Sequence, residues 1–102
     1  MNENKSPQIK KAIAKINLSK IVNHQQEYPK SKTLKEIIRY SRITQEANDE
    51  KVVFKMGVKL AYNLDTICDP NKAGYVKSEE EKKYWLELSK ELFENTIGVK
   101  DK

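Results

Sequence analysis

The chain has 102 residues, 37% hydrophobic and 34% charged, with a net charge of +5. That length carries one domain with a single core and excludes a core plus a separate catalytic domain. No stretch approaches the roughly 18 apolar residues of a membrane-spanning helix, and the opening MNENKSPQIKK lacks the apolar centre of a signal peptide, so a cytoplasmic location is expected.

One Cys and one His exclude an internal disulfide and a Cys/His zinc cluster. Only three Gly and three Pro leave few enforced turns, which favours long helices. The charge is uneven: residues 1–60 hold 13 Lys/Arg against six Asp/Glu, while residues 61–102 hold seven against nine. A basic half can face an anionic partner, although the plain alternative is a solvated lysine-rich face.

In chain order, Ser6 and Pro7 open a helix in which Ile9, Ala12, Ile13 and Ile16 share a face. Leu18, Ile21 and Val22 lie about half a turn from that face, so a kink or stop is expected near residues 17–19, with a short second piece over 19–27 that Pro29 ends. The next helix starts near SKTLKEII, where Thr33 and Glu36 have capping-box spacing and Leu34, Ile37 and Ile38 point inward. Asn48 and Asp49 are good caps for a further helix and place a break there, while the lack of Gly or Pro also leaves a continuous helix over 34–68 open.

Residues 50–68 give the clearest pattern, with Val53, Met56, Gly57, Leu60, Ala61, Leu64, Ile67 and Cys68 on one stripe. Gly57 on that stripe is expected to admit a neighbouring helix at close range. Asp69-Pro70 ends the helix, because the residue before Pro is pushed out of the helical region. Ser78 then caps a last helix whose Glu79, Glu80 and Glu81 suit its positive end, whose inner stripe is Trp85, Leu88 and Leu92, and which Gly98 closes. The expected architecture is all-α: an antiparallel up-down four-helix bundle forming one domain over 1–102, with mobile ends near 1–5 and 98–102.

Candidate chemistry is sparse, and no enzymatic activity, cofactor or metal is expected. His24 and Cys68 form an imaginable base and nucleophile, but Cys68 sits on an apolar stripe where a free Cys is ordinarily a small buried hydrophobe. The glutamates of the last helix lack the Glu-x-x-His motifs of a diiron bundle and are accounted for by capping and solvation. Lys35, Arg39 and Arg42 share one helical face that could track phosphates, yet no helix-turn-helix turn accompanies them, so nucleic acid is not the favoured partner. Tyr75 and Val76 are apolar side chains in a polar connector: they are either a lid on the core or, with Tyr84 and the tail from Ile97, a docking edge.

The order of the pieces QIKKAIAKI, Tyr28-Pro29, LKEIIRYSRI, VVFKMGVKLAYNL and SEEEKKYWLELSKEL resembles the cytosolic immunity proteins of pediocin-like bacteriocins, the enterocin A immunity type. The resemblance covers most of the chain and rests on length, order and hydrophobic spacing. It implies a four-helix antiparallel bundle that protects a producer cell from its own pore-forming peptide at the cytosolic side of the toxin's receptor, the mannose permease. It also implies that the C-terminal half sets toxin specificity, which here means Tyr75, Val76, Tyr84 and Ile97. The Lys35, Arg39 and Arg42 surface would suit work near an anionic inner leaflet. The alternatives from other classes are a small nucleic-acid-associated regulator and a helical protein–protein adaptor.

Overall fold

The computed structural model describes residues 6–96 and contains five helices, with no strand among the described residues. They are α1 (Ser6–Ala14), α2 (Leu18–Glu27), α3 (Lys32–Glu46), α4 (Glu50–Thr66) and α5 (Glu79–Asn95). The expected count of four is thus replaced by five, because the first amphipathic stretch is two helices. The change of apolar face is resolved by ending α1 in a tight turn, where the Lys15 and Ile16 N–H groups donate to the Ala12 and Ile13 carbonyls, and by starting afresh at Asn17. The Asn17 side chain accepts from the Lys20 N–H at 3.2 Å, an N-cap that offsets an otherwise orphaned donor.

The remaining boundaries follow the same logic. α3 is capped by Ser31, whose Oγ accepts from the Leu34 N–H at 3.3 Å, and not by Thr33, which lies inside the helix. Pro29 sets the cap two residues earlier than the Thr33–Glu36 spacing suggests, because the Tyr28–Ser31 turn closes with a 2.9 Å bond from the Ser31 N–H to the Tyr28 carbonyl. Asp49 caps α4 by accepting from the Lys51 N–H, so the 34–68 stretch is broken and not continuous. Ser78 caps α5 through the Glu81 N–H, and three glutamates occupy its first turn, where the helix dipole favours them. Gly98 and the two ends expected to be mobile lie outside the described residues.

Side-chain contacts give the directions. Glu36 meets Asn63 and Tyr40 meets Lys59, so numbers fall on α4 as they rise on α3, and the pair is antiparallel. On the other flank Ala61 pairs with Ser89 and Cys68 with Lys82, which makes α4 and α5 antiparallel as well. α1 crosses back to α5, with Lys15 bonded to Glu91 at 3.0 Å, while α4 packs against α1, α3 and α5. The core contains Ile9, Ile13, Leu34, Ile37, Leu60, Leu64, Trp85, Leu88 and Leu92. The stripes read from the sequence thus meet along a common seam. On α5 Ser89 also turns inward, donating to the Ala61 carbonyl at 2.7 Å, while Leu86 lies 42% exposed.

Gly57 sits at the junction of three helices. A methyl at its Cα would stand 3.0 Å from Ile9 Cγ2 and 3.0 Å from Thr96 Cγ2, so the absent side chain is what lets α1 and the end of α5 approach α4.

Candidate partner-binding surface

The α4–α5 connector is fixed by its own backbone chemistry. Beyond Thr66, the Asp69 N–H donates to the Thr66 carbonyl and Pro70 prevents further helix. The Asp69 carboxylate accepts from the Asn71 N–H at 2.9 Å, and the Asp69 carbonyl accepts from the Lys72 N–H at 3.0 Å, giving a turn with Pro70 at its second position. A second turn is closed by the Tyr75 N–H on the Lys72 carbonyl, and Gly74 occupies its third position with φ +81°, which a side chain would strain. The Val76 N–H then returns to the Ile67 carbonyl at 2.6 Å.

Contacts from other elements hold the connector in place. His24 Nε2 lies 2.8 Å from the Gly74 carbonyl oxygen, which makes that nitrogen the protonated donor. A Cβ on Gly74 would stand 2.9 Å from Leu34 Cδ1 and 3.0 Å from Ser31 Cβ, so the connector is wedged against the start of α3. Val76 is 4% exposed and belongs to the core, as a lid on the core would, and it lines a hollow with His24, Glu81 and Trp85. Tyr75, its neighbour, is half-buried, and the Lys82 ammonium sits 5.8 Å from its ring centroid.

Tyr75 lines an open hollow of about 420 Å³ with Tyr28, Pro70, Asn71, Lys72, Ala73, Gly74 and Lys77. No carboxylate is among these residues. The His24 ring packs against Tyr28 at 5.1 Å between centroids with a 54° tilt, and neither phenol hydroxyl has a hydrogen-bond partner among the described residues. Lys72 and Lys77 are exposed and form no ion pair among those residues.

Tyr84 is placed elsewhere. It is 43% exposed, packs edge-on against Trp85 and donates its hydroxyl to the Lys15 carbonyl at 2.6 Å, thereby satisfying the C-terminal end of α1. The hollow it lines, of about 370 Å³, runs between the α1–α2 break and α5 and shares no residue with the Tyr75 hollow. The structure therefore does not join Tyr75 and Tyr84 into one docking edge. Ile97 lies outside the described residues.

Lys35, Arg39 and Arg42 are all exposed on the outer face of α3 and form no ion pair among the described residues. Because Gly74 presses on Ser31 and Leu34, the connector hollow lies at the N-terminal end of the helix that carries these three cations. Two groups read separately from the sequence are thus neighbours in the fold.

His24 and Cys68 do not pair. His24 bonds Gly74, whereas the Cys68 thiol lies 3.5 Å from the Leu64 carbonyl and 3.8 Å from that of Lys82. Burial, followed by the Asp65 carboxylate, pushes the thiol pKa above its ordinary value against a smaller opposing pull from Lys82, which disfavours the thiolate a nucleophile would need.

Tyr28, His24 and Gly74 were not picked out by sequence reasoning as parts of a surface. Pro29 and Gly74 are local turn formers, but the meeting of their segments across some 45 residues of chain has no local signature. No known protein family, curated protein or solved structure matches the chain.

Proposed function

We propose that the chain is an immunity protein of the pediocin-like bacteriocin type. It acts in the cytoplasm by binding the toxin-engaged mannose permease at the membrane's inner face and blocking the lethal pore, without turnover of a substrate. In this reading α1 and α2 form one broken arm of an antiparallel up-down four-arm bundle, with α3, α4 and α5 as the other three. The observation that carries the proposal is the α4–α5 connector: a loop in the C-terminal half, rigidly pinned yet displaying Tyr75 at the surface, is the kind of element on which recognition residues are presented by a stable scaffold. The exposed Lys35, Arg39 and Arg42 face supports peripheral contact with an anionic leaflet, each cation near the surface contributing about 1 kcal/mol.

The test is expression of the chain in a strain sensitive to pediocin-like peptides. Survival against at least one member of a panel supports the proposal, and unchanged killing across the panel refutes it.

The same exposed cationic face favours a second reading, a nucleic-acid-associated regulator. A salt-dependent gel shift abolished by charge reversal at Lys35, Arg39 and Arg42 would decide for it.

A further inference from the structure

We infer that the hollow walled by Tyr28 and Tyr75 and rimmed by Lys72 and Lys77 is a docking site for a carboxylate-rich segment of a partner protein. The inference rests on reading the connector as the recognition surface and names the chemistry of what it recognises.

Four donor-bearing side chains line this site. The phenol hydroxyls of Tyr28 and Tyr75 and the ammonium groups of Lys72 and Lys77 belong to residues lining a single hollow of about 420 Å³, and none of the four is engaged by another described residue. A site lined by two ammonium groups and two phenol hydroxyls, with no carboxylate in its lining, is complementary to an acceptor-rich anion. Two carboxylates adjoin the lining in sequence: Asp69 accepts from the Asn71 N–H within the turn, and Glu27, exposed next to Tyr28, lines a different hollow with His24 and Val76. Lys30 and Lys32 flank Ser31, which touches Gly74, and they extend the positive rim towards Lys35 and Arg39 without an intervening ion pair.

The shape and the rings separate an acidic polypeptide from other anions. A bilayer surface is met by a flat or protruding face, whereas this site is concave and fits an inserted side chain. A nucleobase needs open aromatic faces on which to stack. Here the tilted His24 ring packs against Tyr28 and the Lys82 ammonium sits over the Tyr75 ring, so both rings already have a partner while their hydroxyls have none among the described residues. Preorganisation adds to the case, since the connector is held by the His24–Gly74 bond, the Val76–Ile67 bond and two closed turns, so little ordering is left to oppose binding.

The experiment is a titration of the full chain with hexaglutamate, followed by amide NMR and calorimetry, alongside phosphatidylglycerol vesicles and a single-stranded RNA. The expected result is concerted shifts at Tyr28, Lys72, Gly74, Tyr75 and Lys77 with hexaglutamate, weakened about tenfold or more by Lys72→Glu with Lys77→Glu and by raised salt. Both lysines are exposed, so these variants keep the fold. Tyr28→Phe with Tyr75→Phe, which leaves charge unchanged, is expected to weaken binding several-fold. The inference is overturned by shifts scattered over the exposed lysines of α3 and α4, by equal binding in the charge-reversed variant, by tighter binding of vesicles or RNA at these residues, or by no shift at millimolar peptide. Loss of protection in cells with peptide binding intact would count against the proposed function and leave this site standing.

Discussion

Gly57→Ala tests the three-helix junction directly. In an exposed helix interior the exchange stabilises by about 1 kcal/mol, because Ala restricts the unfolded chain and suits the helix better. Here the new methyl would meet Ile9 Cγ2 and Thr96 Cγ2 at 3.0 Å each, closer than ordinary van der Waals contact. Thr96 is buried with its hydroxyl donating to the Leu92 carbonyl at 2.6 Å, and Ile9 is fully buried with a β-branch that holds Cγ2 in one rotamer against the helix. Relief therefore requires α1 to shift against α4, an overpacking cost of roughly 1–3 kcal/mol. The net expectation is a loss of about 1 kcal/mol, read as a fall in the urea midpoint of roughly 0.5–1 M at unchanged slope. Ile9→Leu removes the offending branch at similar volume and should itself cost less than about 1.5 kcal/mol. Combined with it, Gly57→Ala should cost less than it does alone, a coupling of roughly 0.5–1 kcal/mol in the double-mutant cycle, with the Thr96 contact accounting for the remainder. A raised midpoint for Gly57→Ala alone, or an identical effect in both backgrounds, would refute the claim that this glycine exists to admit α1.

Gly74→Ala should destabilise by about 1–3 kcal/mol in the same denaturation assay, because it combines a positive φ with a Cβ pressed on Leu34 and Ser31; it should also shift the Tyr75 and His24 resonances. Ser31→Ala should cost about 1 kcal/mol by removing the α3 cap, and Thr33→Ala should change stability by less than about 0.5 kcal/mol, the reverse of what the Thr33–Glu36 spacing suggests. Cys68 should react with a thiol reagent with an apparent pKa above that of a cysteine peptide, and urea should abolish the difference. Since the folded pKa is raised, the stabilisation from the protonated thiol is fully present below the unfolded thiol pKa and is lost as pH rises through the folded value. Cys68→Ser should accordingly flatten the alkaline limb of the stability curve.

The helical stripes were legible because an amphipathic helix writes its buried face into local spacing. Leu60, Leu64, Trp85 and Leu88 are recognisable from intervals of three and four, and all are in the core. Asp49 and Ser78 were legible as caps for the same reason, since a short polar side chain satisfies an N–H two or three residues on. Ser31 was missed because the turn made by Pro29, and not the Thr33–Glu36 spacing, decides where α3 begins. Ser89 was missed because the edge of a stripe is settled by the neighbouring helix, here through the Ala61 carbonyl that accepts from Ser89.

By itself the sequence determined that the chain is helical, where most helices start and stop, and that Gly57 is a point of close approach, all consequences of interactions within a few residues. Only the tertiary structure decided that Val76 is core while Tyr75 is surface, that Tyr84 serves α1, and that Tyr28 stands beside the connector at the cationic end of α3. Those outcomes depend on which helices share the seam and on how a glycine turn seats itself against Ser31. They arise from contacts between residues far apart in the chain, for which the order of amino acids carries no periodic signal.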